Sequence, residues 1–162
     1  MKKLIVAICI TVSWAGTSYA QNTTPYKANY SSKFTMADES YANKVLMLWK
    51  DYEDNQLDRH VDWFADTVSM TLASGQTVKG KAANLAGVKA YRGSLKNMKI
   101  SVDAWMSVKS DRGENAVCIW GTEDFTDANG KHAVQNQHEV WIFNKEGKIA
   151  VMLQYAQGGG SM

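Results

Sequence analysis

Hydrophobic spacing divides the chain into a helical first half and an alternating second half. Between Met36 and Glu53, Tyr41, Val45, Leu48 and Tyr52 recur three or four residues apart, and Leu46 and Trp49 widen the stripe. That spacing predicts a long amphipathic helix from about Met36 to Glu53. Thr35 is placed to cap it, with Asp38 three residues on reaching back as in a capping box. A shorter helical turn is expected around Leu57 to Phe64. The stretch DTVSMTLASGQTV then alternates as a strand, a turn at Ser74-Gly75 and a second short strand. Gly80 opens a third helix on Leu85, Val88, Tyr91 and Leu95, and helices have run out by Asn97.

After Met98 the period becomes two. Met98, Ile100, Val102, Ala104, Met106 and Val108 alternate with Lys99, Ser101, Asp103, Trp105, Ser107 and Lys109. Turn signals at Arg112-Gly113, Asn129-Gly130 and Glu146-Gly147 separate three further strands. The layout is α+β: three helices and two short strands, followed by a four-stranded antiparallel meander, with no internal repeat.

If each hairpin turn holds an even number of residues, paired strands have opposite parity. Val108 then pairs with Val117, Met106 with Ile119 and Ala104 with Gly121. Asn136, His138, Val140 and Ile142, then Val151, Leu153 and Tyr155, continue the same face. That face is apolar along most of its length, as a core against the helices requires, with exceptions at Glu123, Asn136, His138 and Tyr155. The opposite face carries Trp105, Cys118, Trp120, Trp141, Phe143 and Met152. Three tryptophans, Trp105, Trp120 and Trp141, on a face left to water mark an interface, and a homodimer is expected through them. A β-bulge would invert part of this assignment.

The ends add compartment. Lys2-Lys3, an apolar run from Leu4 to Val12 and Ser18-Tyr19-Ala20 ahead of Gln21 form a secretory leader over residues 1–20. The run is too short to span a bilayer. Export to the periplasm or the outside is expected, with no membrane insertion once the leader is gone. Residues 21–34 are polar, hold the only proline and read as a flexible tether; residues 158–162 read as a flexible tail around one domain over 35–157. Losing the leader leaves 142 of the 162 residues. It removes two of the 18 basic residues and none of the 16 acidic ones, so the formal charge falls to zero. Such a surface does not attract nucleic acid. Cys118 becomes the only cysteine, which excludes an intramolecular disulfide, and mid-strand it reads as a small buried hydrophobe.

No CxxC, HExxH, GxSxG or glycine-rich phosphate loop occurs, and DANGKH lacks the later acidic ligands of a calcium loop. A metal site would need three convergent ligands; with only His60, His132 and His138 available, none is expected, and no cofactor is implied.

The stretch LWKDYEDNQLDRHVDWFADTVSMTLASGQTVKGKAANLAGV and the closing HEVWIFNKEGKIAVMLQY resemble the SnoaL-like branch of the nuclear transport factor 2-like superfamily. The resemblance runs from Met36 to Gln157. It implies a curved antiparallel sheet wrapped around three N-terminal helices, a cone-shaped, cystatin-like α+β barrel with a pocket opening at one end. That fold hosts cyclases, ketosteroid isomerases, dehydratases, hydrolases and non-catalytic binding modules, so a small apolar ligand is the expected partner.

Within such a cone, His138 is a candidate general acid or base, since imidazole exchanges a proton near neutral pH. Asn136 and Tyr155 would complete a polar wall around it. Glu123 and Asp124 are the alternative acids, because a bulge would swap their faces. His60 and Trp63 fall where relatives close the pocket mouth. Two functions follow: a cofactor-free enzyme of the isomerase, dehydratase or cyclase kind, or a non-catalytic module that binds a ligand or a partner protein.

Overall fold

The computed structural model describes residues 24–158; the leader lies outside them. Helix α1 runs over Glu39–Glu53 and α2 over Lys81–Ser94. Strand β1 is Phe34–Met36, β2 Phe64–Thr71, β3 Thr77–Lys79, β4 Lys96–Ser110, β5 Asn115–Thr126, β6 His132–Phe143 and β7 Ile149–Gly158. The strands form one sheet in the order β1-β4-β5-β6-β7-β2-β3, antiparallel except where β2 meets β7.

Two helices stand where the sequence predicts three. Asn55, in the left-handed conformation at φ 56°, turns the chain out of α1. The few residues left before β2 form only turns and a 3₁₀ segment at Val61–Trp63, too short to hold a helix alone. The start of α1 also differs. Its cap is Asp38, which accepts from the Ser40 amide at 2.8 Å. Thr35 is drawn instead into β1, opposite Lys109. The expected tether is partly tied down: Tyr30 donates to Glu114, Ser31 to Asp111, and Arg112 donates to the Asn29 carbonyl.

The hairpin loops fix the register, and they are odd. Lys109 pairs with Asn115, Thr126 with His132 and Phe143 with Ile149, so each loop leaves five residues between the last pairs. All three loops are built alike. Ser110, Asp127 and Asn144 accept from the amides of Gly113, Gly130 and Gly147, and the side chains of Asp127 and Asn144 accept two further amides each. Gly130, at φ 81°, occupies the left-handed position of such a type I turn plus bulge. Odd loops pair residues of like parity: Val117 with Trp141 and Ile119 with Glu139.

This corrects the faces. On β5 the inward set is as expected, with Val117 and Ile119 fully buried. On β6 it is reversed: Trp141 and Phe143 enter the core beside Val45, Trp49, Val68, Ile149 and Met152, while His138, Val140 and Ile142 face outward. A register shift between Val102 and Ala104 turns β4 over, so that Trp105 pairs with Ile119 and shares the helix side with buried Ser107. The three tryptophans expected on one face are therefore divided. Trp120 alone lies on the outer face, Trp141 is buried, and Trp105 sits half-exposed on the helix side.

Candidate functional site

Between α1, α2, β2 and the inner face of β5–β7 lies a cavity of about 410 Å³. Its apolar wall comes from the helix stripes and from β2: Leu48, Phe64, Val68, Met70, Leu85 and Val88. Its polar wall comes from one strip of the sheet, where Glu123 of β5, Gln135, Gln137 and Glu139 of β6, and Gln154 of β7 all point inward.

Glu139 anchors the floor. Its Oε2 accepts from the indole of Trp49 at 2.7 Å and from that of Trp141 at 2.9 Å, and its Oε1 accepts from Gln154 at 3.1 Å. Trp49 can reach it because residue 121 is glycine: a Cβ there would lie 2.7 Å from Trp49 Cζ3. Burial raises the Glu139 pKa, and the three donors work against that rise without cancelling it.

Glu123 is placed differently. It is 8% exposed and accepts one hydrogen bond, from Gln137 Nε2 at 3.1 Å. Burial pushes its carboxyl up to about 7, with a smaller push from Glu139, while the Gln137 bond and Arg92 pull the other way. Gln137 is itself buried, and its Oε1 has no partner. Tyr52 and Tyr91 line the cavity; burial, and then the charge of Glu123, raise both phenols. A third acid, Asp51, lines the cavity from α1, bonded to His60 Nδ1 at 2.6 Å and with Arg59 3.5 Å away.

Of the residues expected in the site, Glu123 alone lines the cavity. His60 stacks on Trp63 with ring centroids 3.9 Å apart, and these two stand behind Asp51. His138 lies on the outer sheet face, stacked on Trp120 at 4.6 Å and beside Tyr155 at 5.7 Å. Asn136 accepts from Thr122 on that same outer face, and Asp124 pairs with His132 near the β5–β6 loop. The expected polar wall of His138, Asn136 and Tyr155 thus exists, on the opposite side of the sheet, because the odd loop reversed β6. The same reversal brings in Trp141, expected on the opposite face, together with Gln137, Glu139 and Gln154. Cys118 is half-buried on the outer face, where burial raises its thiol.

No protein family's model matches the chain, and no curated protein matches it either. Solved structures do. An NTF2-like protein of unknown function from Cytophaga hutchinsonii aligns with TM-score 0.55 at 17% identity, over 75% of this chain and 100% of that one. SalBIII, an epoxide hydrolase/cyclase-like enzyme in pyran ring formation in the polyether salinomycin, aligns with TM-score 0.60 at 16% identity, over 74% and 92%. The Orange Carotenoid Protein of Anabaena (Nostoc), binding canthaxanthin, aligns with TM-score 0.58 at 16% identity; this chain covers 40% of it and is itself covered over 82%. At these identities the likeness is one of fold: the chain has the cone-shaped NTF2-like fold.

Proposed function

We propose that the cavity binds a small molecule with a largely apolar body, and that Glu123 exchanges a proton with it in cofactor-free chemistry of the isomerase, dehydratase or cyclase kind. One observation carries this reading: a carboxyl 8% exposed, with a single hydrogen bond, raised to about 7 by burial, on the wall of a cavity that is otherwise mostly apolar. A general base works best when its pKa lies near the working pH. The Glu123 carboxylate takes a proton from a C–H or O–H of the bound molecule, and the resulting acid returns it at a second position or to a leaving oxygen. Glu139 already accepts three bonds, so it holds the indoles of Trp49 and Trp141 in place and leaves proton exchange to Glu123. A fold shared with an epoxide hydrolase/cyclase-like enzyme and with a carotenoid binder is compatible with either turnover or binding.

The test is a panel of hydroxy-epoxides and β,γ-unsaturated ketones, followed by chromatography. Turnover should rise with pH through about 7 and fall by roughly 100-fold or more in Glu123→Gln. Turnover that persists in this variant would refute the role of Glu123. If the tryptophan fluorescence of Trp49 and Trp141 responds to panel members without any turnover, the cavity is a binding site only.

Two further parts of the reading concern the whole chain. The leader motivates export, and mass spectrometry of the exported protein should find Gln21 at its start. The unpartnered outer face motivates a homodimer, the second reading of this fold as an interaction module.

A further inference from the structure

We infer that the head group taken by this cavity is an amine: an alkylammonium nitrogen on a compact apolar body, donating to the Glu123 carboxylate and to Gln137 Oε1. The inference rests on the proposed small-molecule site; because an ammonium there keeps Glu123 ionised as its counter-ion, it names a molecule the cavity holds rather than one that Glu123 turns over.

Charge is the first argument. Three acids line the cavity, Asp51, Glu123 and Glu139, and among the described residues Lys81 is its only cationic lining residue. Lys81 is paired with Asp66. Asp51 has its own partners in His60 and Arg59. Glu123 and Glu139 have none of opposite charge, since their hydrogen bonds come from an amide in one case and from two indoles and an amide in the other. Arg92 is the nearest candidate for a counter-ion. Its guanidinium is committed to the carbonyls of Tyr52, Glu53 and Leu95, with the Tyr52 ring 5.8 Å away. An anionic ligand would therefore enter against like charge, and a cation would find a carboxylate without a counter-ion.

Unfilled hydrogen-bond capacity is the second argument. Gln137 is 6% exposed and lines the cavity, yet its Oε1 has no partner. A buried acceptor left unpaired is costly, and ligand donors relieve that cost. Glu123 beside it has lone pairs to spare after its one bond. Two neighbouring acceptors ask for a group with at least two donor hydrogens. An ammonium supplies three and a single hydroxyl only one. Tyr52, Tyr91 and Trp49 also line the cavity, and aromatic rings favour a cation over an anion. Where Glu123 enters the complex protonated, a free amine takes that proton, and the product is the same ammonium–carboxylate pair.

Calorimetry on the mature chain with three probes sharing one cage tests this: 1-adamantanemethylamine, 1-adamantanemethanol and adamantane-1-carboxylate. At about pH 8 the amine should bind at least about tenfold more tightly than the alcohol, and the carboxylate should give no heat. Amine affinity should fall as Glu123 is protonated between about pH 8 and 5.5, while alcohol affinity holds. In Glu123→Gln the amine advantage should vanish and the alcohol should bind within about threefold of wild type. Alcohol binding equal to amine binding in the wild type would overturn the amine inference and leave the cavity's role as a binding site standing. Carboxylate binding would overturn it too. If none of the three binds, the small-molecule reading falls and the inference with it. The wild-type probe and pH series decides the matter even if the variant does not fold.

Discussion

Gly121 and Glu123, two residues apart on β5, set the character of the cavity. A methyl at 121 would collide with the Ser101 carbonyl on the paired strand β4 and sit 2.7 Å from the Trp49 indole, whose N–H is fixed on Glu139. Gly121→Ala should therefore push β5 away from β4 at Ser101, tilt the indole off Glu139 and change its fluorescence, and cost about 3 kcal/mol, the upper end of the range for overpacking, read as a lower urea midpoint. Glu123 makes a prediction in pH. Its carboxyl titrates near 7 in the folded chain and near 4.5 as a free side chain, so between those values the native state holds a proton that the unfolded state has lost. Stability should accordingly fall as pH rises from about 4.5 to 7 and level off above, with about 3 kcal/mol lost in full. Burial also raises Glu139, so the wild-type curve contains a second contribution of the same sign. The difference between wild type and Glu123→Gln isolates the first: the variant should gain stability relative to wild type at about pH 8 and little below about pH 5. Equal slopes for the two proteins would mean that Glu123 is solvated and ordinary.

At the scale of elements, Arg92 ties the two helices together by hydrogen bonds. Arg92 of α2 donates to the last carbonyls of α1, Tyr52 at 2.6 Å and Glu53 at 2.7 Å, and to Leu95 at 3.2 Å. A cation at a helix C-terminus meets the negative end of the helix dipole and satisfies orphan carbonyls at once. Arg92→Leu should cost about 3 kcal/mol and loosen the C-terminus of α1 against α2, visible as faster hydrogen exchange at Asp54 and Asn55. Nothing in the spacing of α2 marks Arg92 for this role, because its partners lie about forty residues away in the chain. The elements themselves were largely legible: both long helices and the four strands of the meander follow from periods of 3.6 and 2. The faces were legible only through the loops. Reading Asn129-Gly130 as a two-residue turn gave even parity, whereas Asp127-Ala128-Asn129-Gly130 and Asn144-Lys145-Glu146-Gly147 share a wider wording. A side-chain acceptor three residues before a glycine builds the five-residue loop. That one-residue difference exchanged His138 for Glu139 at the site. The shift beyond Val102 had no comparable signal, since Asp103 looks like any other outward residue of an alternating strand.

For the molecule as a whole, the unresolved balance lies on the outer face of the sheet. The helices contact the other side, and no described element covers Met106, Val108 and Cys118, Trp120 beside them, or Val140, Ile142, Val151 and Leu153 on the neighbouring strands. The centre of this face carries no formal charge; Asp124 lies at one end, paired with His132. Across the central strands Trp120, His138 and Tyr155 stack in a row, and His138 Nε2 is buried without a partner. Tyr155, Met106 and Val134 are 56%, 41% and 38% exposed, which is much apolar surface to leave in water. A second copy is the occupant this face suggests, because a two-fold axis sets the same apolar patch against itself and a standard interface needs about 800 Å² from each partner. Sedimentation at micromolar concentration should give twice the chain mass. Val140→Glu and Trp120→Glu, each placing a charge in the middle of the face, should give monomers with unchanged helical circular dichroism. Trp105→Glu, on the helix side of the sheet, should remain a dimer. That last comparison separates the two arrangements of the tryptophans. If Trp105→Glu dissociates the protein and Val140→Glu does not, association runs through the helix side of the sheet at Trp105; a monomeric wild type removes the interface altogether.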